Sequence, residues 1–199
     1  MFQGRSLSVT SRGTTEAISV DEVKSHLKIQ TTAEDALLNI YIKAVSRQAE
    51  NYLKRSIIPT NYRLSLDSFP SEIVLPRSPP LSTVSTDITV SFIPTSGGVS
   101  CVVDSSNYEI DRNIVPCRIY LGYSTSWPSN VRTYKNVVTV DYVSGWQTSV
   151  TPEEIKLWLM EKVGIYHKYR IPINEGDRLQ NLRRDFIDGL VDDYIIYDL

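Results

Sequence analysis

Tyr62-Arg63-Leu64-Ser65-Leu66 alternates apolar and polar residues at every step. That is the period of a half-buried strand, and at this point the chain's hydrophobic pattern changes from 3.6 residues to 2. Working outward on the C-terminal side, residues 73–75, 88–92, 99–103, 108–110, 114–121 and 137–143 are further short runs rich in Val, Ile, Tyr and Phe. Pro94-Thr95-Ser96-Gly97-Gly98 separates two of them as a hairpin turn, because glycine supplies the positive φ that tight turns need. The pattern predicts an antiparallel β region over 57–150, arranged as a meander or a small barrel.

On the N-terminal side the pattern is helical. Ser19 and Glu22 make a capping box, and Val20, Val23 and Leu27 fall on one face of a short helix ending near Gln30. A second start follows at Thr31-Thr32-Ala33-Glu34-Asp35, read as a Thr cap with acids favourable to the helix dipole. Its apolar stripe runs through Leu38, Ile42, Val45, Ala49 and Tyr52, and Pro59 forbids continuation. Residues 1–18 carry Ser, Thr and Gly with little periodicity and read as a flexible arm.

Beyond the strands, Thr151-Pro152-Glu153-Glu154 reads as a capped helix start, with Thr as cap and Pro at the first helical position. Ile155, Trp158, Leu159, Val163 and Tyr166 carry this helix to about Tyr169, and Pro172 ends it. Leu182, Phe186, Leu190 and Val191 again have helical spacing. The expected fold class is α+β: a helical bundle from 19–56 and 151–172, an inserted antiparallel β region at 57–150, and a C-terminal segment at 173–199. Leu38, Val45, Tyr52, Ile155, Leu159 and Val163 are expected to be buried, since nothing else would cover these stripes.

Composition excludes several functions. The 199 residues are 41% hydrophobic and 22% charged, an ordinary globular balance. A formal net charge of −2 argues against a surface built for nucleic-acid backbone, although a neutral wall that DNA passes is compatible. Cys101 and Cys117 match no metal spacing, and a reduced environment is the simpler expectation. No run approaches the roughly 20 apolar residues that span a bilayer, and the start lacks the apolar stretch of a secretory signal.

Catalytic chemistry is not expected. The two histidines, His26 and His167, have no metal or nucleophile pattern around them. Gly97-Gly98 lacks the Lys and Ser/Thr of a phosphate loop. Asp185, Asp188, Asp192 and Asp193 lack calcium-loop spacing and read as a solvated face. Arg178, Arg183 and Arg184 are flanked by Asp177 and Asp185, which suits partner salt bridges. Tyr120, Tyr123, Trp127 and Tyr134 could form a stacking platform, but packing is the expected role. No catalytic, cofactor or metal residues are assigned.

The order of the pieces resembles a known family. Glu22-Val23-Lys24-Ser25-His26-Leu27-Lys28-Ile29, then Glu34-Asp35-Ala36-Leu37-Leu38, and a long helix with an acid at Glu50 resemble the opening of head–tail connector (adaptor, head-completion) proteins of long-tailed bacteriophages. The strand from Tyr62 to Pro70 is similar too, as are Leu75-Pro76, Pro79-Pro80-Leu81-Ser82-Thr83-Val84, and 138–145 followed by Thr151-Pro152-Glu153-Glu154. The resemblance spans about 18–170 in order, with 93–136 longer and more irregular than the family pattern. It implies a structural virion protein of the neck, without cofactor, assembled in the bacterial host cytoplasm. It also implies a homo-oligomeric ring, typically dodecameric, beneath the portal protein. Such a ring extends the channel through which double-stranded DNA passes without sequence-specific contact during genome ejection. Its far face receives a stopper or tail-completion protein, and no membrane is involved. The alternatives are a tail-completion or tail-terminator ring protein and a β-rich ligand-binding module.

One site follows from the C-terminus. Tyr194-Ile195-Ile196-Tyr197-Asp198-Leu199 holds three aliphatic and two aromatic residues in six positions, and reads as an extended, exposed apolar tail. Together with Leu190 and Val191 it is the expected portal-docking element: Leu190, Val191, Tyr194, Ile195, Ile196, Tyr197 and Leu199.

Overall fold

The computed structural model describes residues 5–77, 88–169 and 189–197. Its fold is α+β, and the chain divides into two compact units: one of Pro59–Trp146 with the N-terminal stretch ending at Gly13, and one of Thr14–Ile58 with Gln147–Tyr197. The stretch 79–84 and the residues Arg178, Leu182, Arg183, Arg184, Asp185, Phe186, Asp188 and Leu199 lie outside the described residues.

The first unit is built on β strands that pair antiparallel throughout. Strands β1 (Arg5–Arg12), β2 (Thr60–Leu66), β4 (Thr89–Phe92), β5 (Cys101–Val102) and β8 (Val138–Ser144) form one sheet in the order β1-β2-β8-β4-β5. Strands β3 (Glu72–Val74), β6 (Tyr108–Asp111) and β7 (Arg118–Leu121) form another, in the order β3-β7-β6. This is not a meander, because β8, the last strand among the described residues, lies between β2 and β4. Its strict alternation explains the position: Val138, Val140, Tyr142 and Ser144 are buried while the residues between them are half-buried, as a central strand requires. Register places Leu64 opposite Val140 and Tyr62 opposite Tyr142, whose rings stack at 5.7 Å.

Residues 5–12 depart from the flexible-arm reading. They form β1, paired along β2 with a bulge between Val9 and Ser11. Leu7 packs partly against the core, while the Ser and Thr residues stay largely exposed. A strand at a sheet edge is held by main-chain hydrogen bonds, which need little apolar periodicity. The Ser8 and Thr10 hydroxyls add bonds to the carbonyls of Arg63 and Asn61.

In the second unit, helices α1 (Val20–Leu27), α2 (Asp35–Leu53) and α3 (Glu153–Lys168) pack on one another. Val23, Leu38, Ile42, Val45, Ala49, Leu53, Ile155, Trp158, Leu159 and Val163 are buried. Ser19 and Glu22 make the reciprocal capping box at α1, with Ser19 N–H donating to Glu22 Oε2 at 2.6 Å. The other two caps differ from expectation. Neither α2 nor α3 has a side-chain cap bond; α2 starts after Glu34, and the Thr151 hydroxyl donates to the Gln147 carbonyl instead. Tyr52 is 42% exposed and not buried, because its ring lies flat along Trp158 at the rim of the helix contact (6.4 Å, 8°).

Candidate functional site

The two ends of α2 are organised by polar groups, and those at its C-terminal end also hold the C-terminal segment. At its start, Glu34 Oε2 lies 2.7 Å from His167 Nε2 of α3. His26 of α1 lies 3.6 Å from Glu161 of α3, so each histidine stands where two helices meet. At its end, Lys54 adopts the left-handed conformation that closes a helix (φ 54°). Glu50 is 3% exposed, and its Oε1 accepts the buried Ile57 N–H at 3.0 Å. A carboxylate here satisfies a donor that the chain's turn out of the helix would otherwise leave without a helical partner.

The next residue along this turn reaches the C-terminus. Arg55 Nε donates to the Tyr194 carbonyl at 3.1 Å, and burial pushes the Arg55 guanidinium below its ordinary pKa. The segment it holds begins with a 3-10 helix, Gly189–Tyr194. Val191 is 1% exposed and, together with Ala49, Tyr52, Leu53, Ile155 and Trp158, lines an apolar pocket. Ile196 is buried as well, and its N–H donates to the Leu53 carbonyl at 3.0 Å. Tyr52 donates to Asp192 and Tyr194 to Glu154, each at 3.3 Å. Burial, then the Glu154 carboxylate, raises the Tyr194 phenol's pKa.

This arrangement corrects the reading of an extended, exposed tail. Val191 and Ile196 lie against the chain's own helices, Leu190, Tyr194 and Ile195 are half-buried, and Tyr197 is exposed at 66%. Burying part of so apolar a segment in its own chain removes it from water without any partner. Among the described members of the acidic group, Asp192 is engaged by Tyr52 and Asp193 is exposed. Sequence reasoning missed Arg55 and the Leu53 carbonyl, for neither carries a motif and both act through a main-chain bond across the fold.

The candidate aromatic platform does not form a single face. Trp127 stacks on Phe69 (4.6 Å, 8°), meets Tyr108 at 6.4 Å, and donates its indole N–H to the Pro70 carbonyl at 2.9 Å. It belongs to the edge of the β core, whereas Tyr123 and Tyr134 point into solvent. No disulfide joins Cys101, which is exposed, to Cys117, which is buried.

The capped α1, the long α2 closed by Glu50, and strands β2 and β3 occupy one continuous stretch, and comparison with protein families meets that stretch. Residues 17–88 match the phage gp6-like head-tail connector protein family. The connector resemblance read from Glu22, Glu34 and Glu50 therefore holds over the segment containing all three. No curated protein matches the chain. Solved structures share its fold from end to end. A chain from the neck of an empty gene transfer agent particle, computed with C6 symmetry, is 20% identical with a TM-score of 0.75, covering 98% of this chain and 97% of that one. One from the virion of a native gene transfer agent particle is 19% identical with a TM-score of 0.74, covering 97% and 96%. One from the neck of a native particle, computed with C12 symmetry, is 18% identical with a TM-score of 0.70, covering 96% and 97%. The connector-family match thus lies within a fold likeness that covers nearly the whole chain.

Proposed function

We propose that this chain is a structural subunit of the neck of a tailed phage or phage-like particle, where copies form a head–tail connector ring below the portal protein. The observation that carries this reading is the connector-family match at 17–88 within a fold shared end to end with neck chains of gene transfer agent particles. Those necks were computed with sixfold and twelvefold symmetry, which favours a closed ring of heterologous contacts, proposed as a dodecamer. In this role the protein extends the DNA channel and offers its far face to a stopper or tail-completion protein. Its work is positional and uses no catalysis or cofactor.

Portal docking is assigned to the C-terminal segment, divided by burial. Val191 and Ile196 hold the segment on the helices, and Leu190, Tyr194, Ile195 and above all Tyr197 present the outer side to the portal; Leu199 completes the proposed set. Native mass measurement of the chain mixed with portal protein tests the ring; a monomer or a twofold dimer on the portal overturns it. Portal capture by Tyr197→Asp tests the docking surface. The exposed substitution should leave the melting temperature unchanged and weaken capture at least tenfold, and undiminished capture refutes the assignment.

A further inference from the structure

We propose that the 122–136 loop contacts the phosphate backbone of double-stranded DNA, without regard to base sequence. The chain as a whole carries a net charge of −2, yet its charges are unevenly spread. Between Asp111 and Asp141 the 29 residues 112–140 contain Arg112, Arg118, Arg132 and Lys135 and no acid. Arg118 is committed to Glu72, with both carboxylate oxygens at 3.0 Å. Arg132 and Lys135 instead lie in the fully exposed run 132–136, so the excess positive charge is presented at one place.

The chemistry around these cations suits a phosphate chain. Arg132 packs over the Tyr134 ring at 5.5 Å, which holds the guanidinium extended along an exposed aromatic face. Ser124, Ser126, Ser129 and Thr133 are exposed hydroxyl donors in the same loop. Hydroxyls, Arg and Lys are the side chains that meet phosphate oxygens and fix position without reading sequence. The loop is also braced. Thr95 N–H donates to the Asn130 carbonyl at 2.7 Å, Arg132 N–H to the Ile93 carbonyl at 3.0 Å, and the Thr125 hydroxyl to the Asn107 carbonyl at 2.8 Å. One acid also meets the loop, Asp67, which accepts the Asn136 N–H at 2.8 Å and leaves the two cations in excess. Two cations per copy give weak binding alone, and a ring multiplies them around one duplex. The proposal rests on the connector reading only for the presence of DNA beside the loop.

The test is amide chemical-shift mapping of the purified full chain titrated with a short DNA duplex at 50 and 200 mM salt. Shifts should concentrate in 122–136. Two phosphate contacts, at about 0.9 in the log–log salt slope each, predict an affinity roughly 12-fold lower at the higher salt. Arg132→Ala with Lys135→Ala should abolish the shifts while Lys43→Ala with Lys54→Ala, on α2 and at the residue that closes it, leaves them intact. Shifts elsewhere, no shifts, or shifts of equal size with polyglutamate overturn the proposal, the last by reassigning the loop to an acidic protein partner. Because no ring is needed, a negative ring assay with positive mapping refutes the connector ring alone, and the reverse refutes only the DNA contact.

Discussion

Ile196→Ala should release the C-terminal segment while leaving the helices folded. Ile196 is 4% exposed and its N–H bonds the Leu53 carbonyl, so its amide reports directly on whether the segment is docked. The substitution removes three carbons. At about 0.8 kcal/mol per buried CH₂ the transfer loss is roughly 2.4 kcal/mol, near the lower end of the 2–5 kcal/mol seen for Ile→Ala in cores. At 1.36 kcal/mol per factor of ten, the Ile196-site amide should exchange with deuterium roughly 60-fold faster. Exchange at Leu159 and Ile42, deep among α2 and α3, should stay unchanged. Tyr197→Ala, at an exposed side chain, is the control and should move neither. If the Ile196-site amide exchanges at the wild-type rate, or if Tyr197→Ala accelerates it equally, burial of Ile196 does not hold the segment and the division between anchor and docking side chains is wrong.

Three further outcomes follow from the same structure. Glu50→Ala leaves the buried Ile57 N–H without its carboxylate acceptor and should cost about 1–3 kcal/mol in urea unfolding, with Glu50→Gln milder; an unchanged midpoint in both would contradict the role given to Glu50. Cys101 should react with iodoacetamide at neutral pH while Cys117, buried and with its thiol pushed up to about 11, stays unmodified until the protein unfolds; mass spectrometry of the native protein showing two adducts would contradict this. Hydrogen bonds from Ser19, backbone first, hold Glu22 below the ordinary glutamate range, so its share of α1 stability is full above its unfolded value of about 4.3 and disappears as pH falls through the lower folded value. Acid titration should therefore destabilise wild type more than Glu22→Gln across that window; parallel curves would remove the linkage.

Local chemistry was legible in the sequence wherever the deciding groups are neighbours along the chain. The Ser19–Glu22 capping box, the alternation of Tyr62-Arg63-Leu64-Ser65-Leu66, the Gly97-Gly98 turn and the helical stripes through Leu38 and Val45 and through Ile155 and Leu159 all depend on spacings of a few residues, and spacing is what a sequence records. The α+β class stands on those features, and the capping box and the Tyr62–Leu66 alternation fall within the 17–88 match to the connector family. Long-range pairing was decided only in three dimensions. Nothing local told β8 to enter between β2 and β4, because main-chain hydrogen bonds form with any strand whose register buries the right face. The same reason hid β1 inside a stretch read as an arm. The C-terminal segment shows the limit most clearly. Its apolar character was plain in the sequence, but an apolar run states only that it must be covered, not by what. Apolar neighbours of Val191 on α2 and α3, the Leu53 carbonyl and Arg55 supply the cover, and Leu53 and Arg55 meet it from more than 130 residues away.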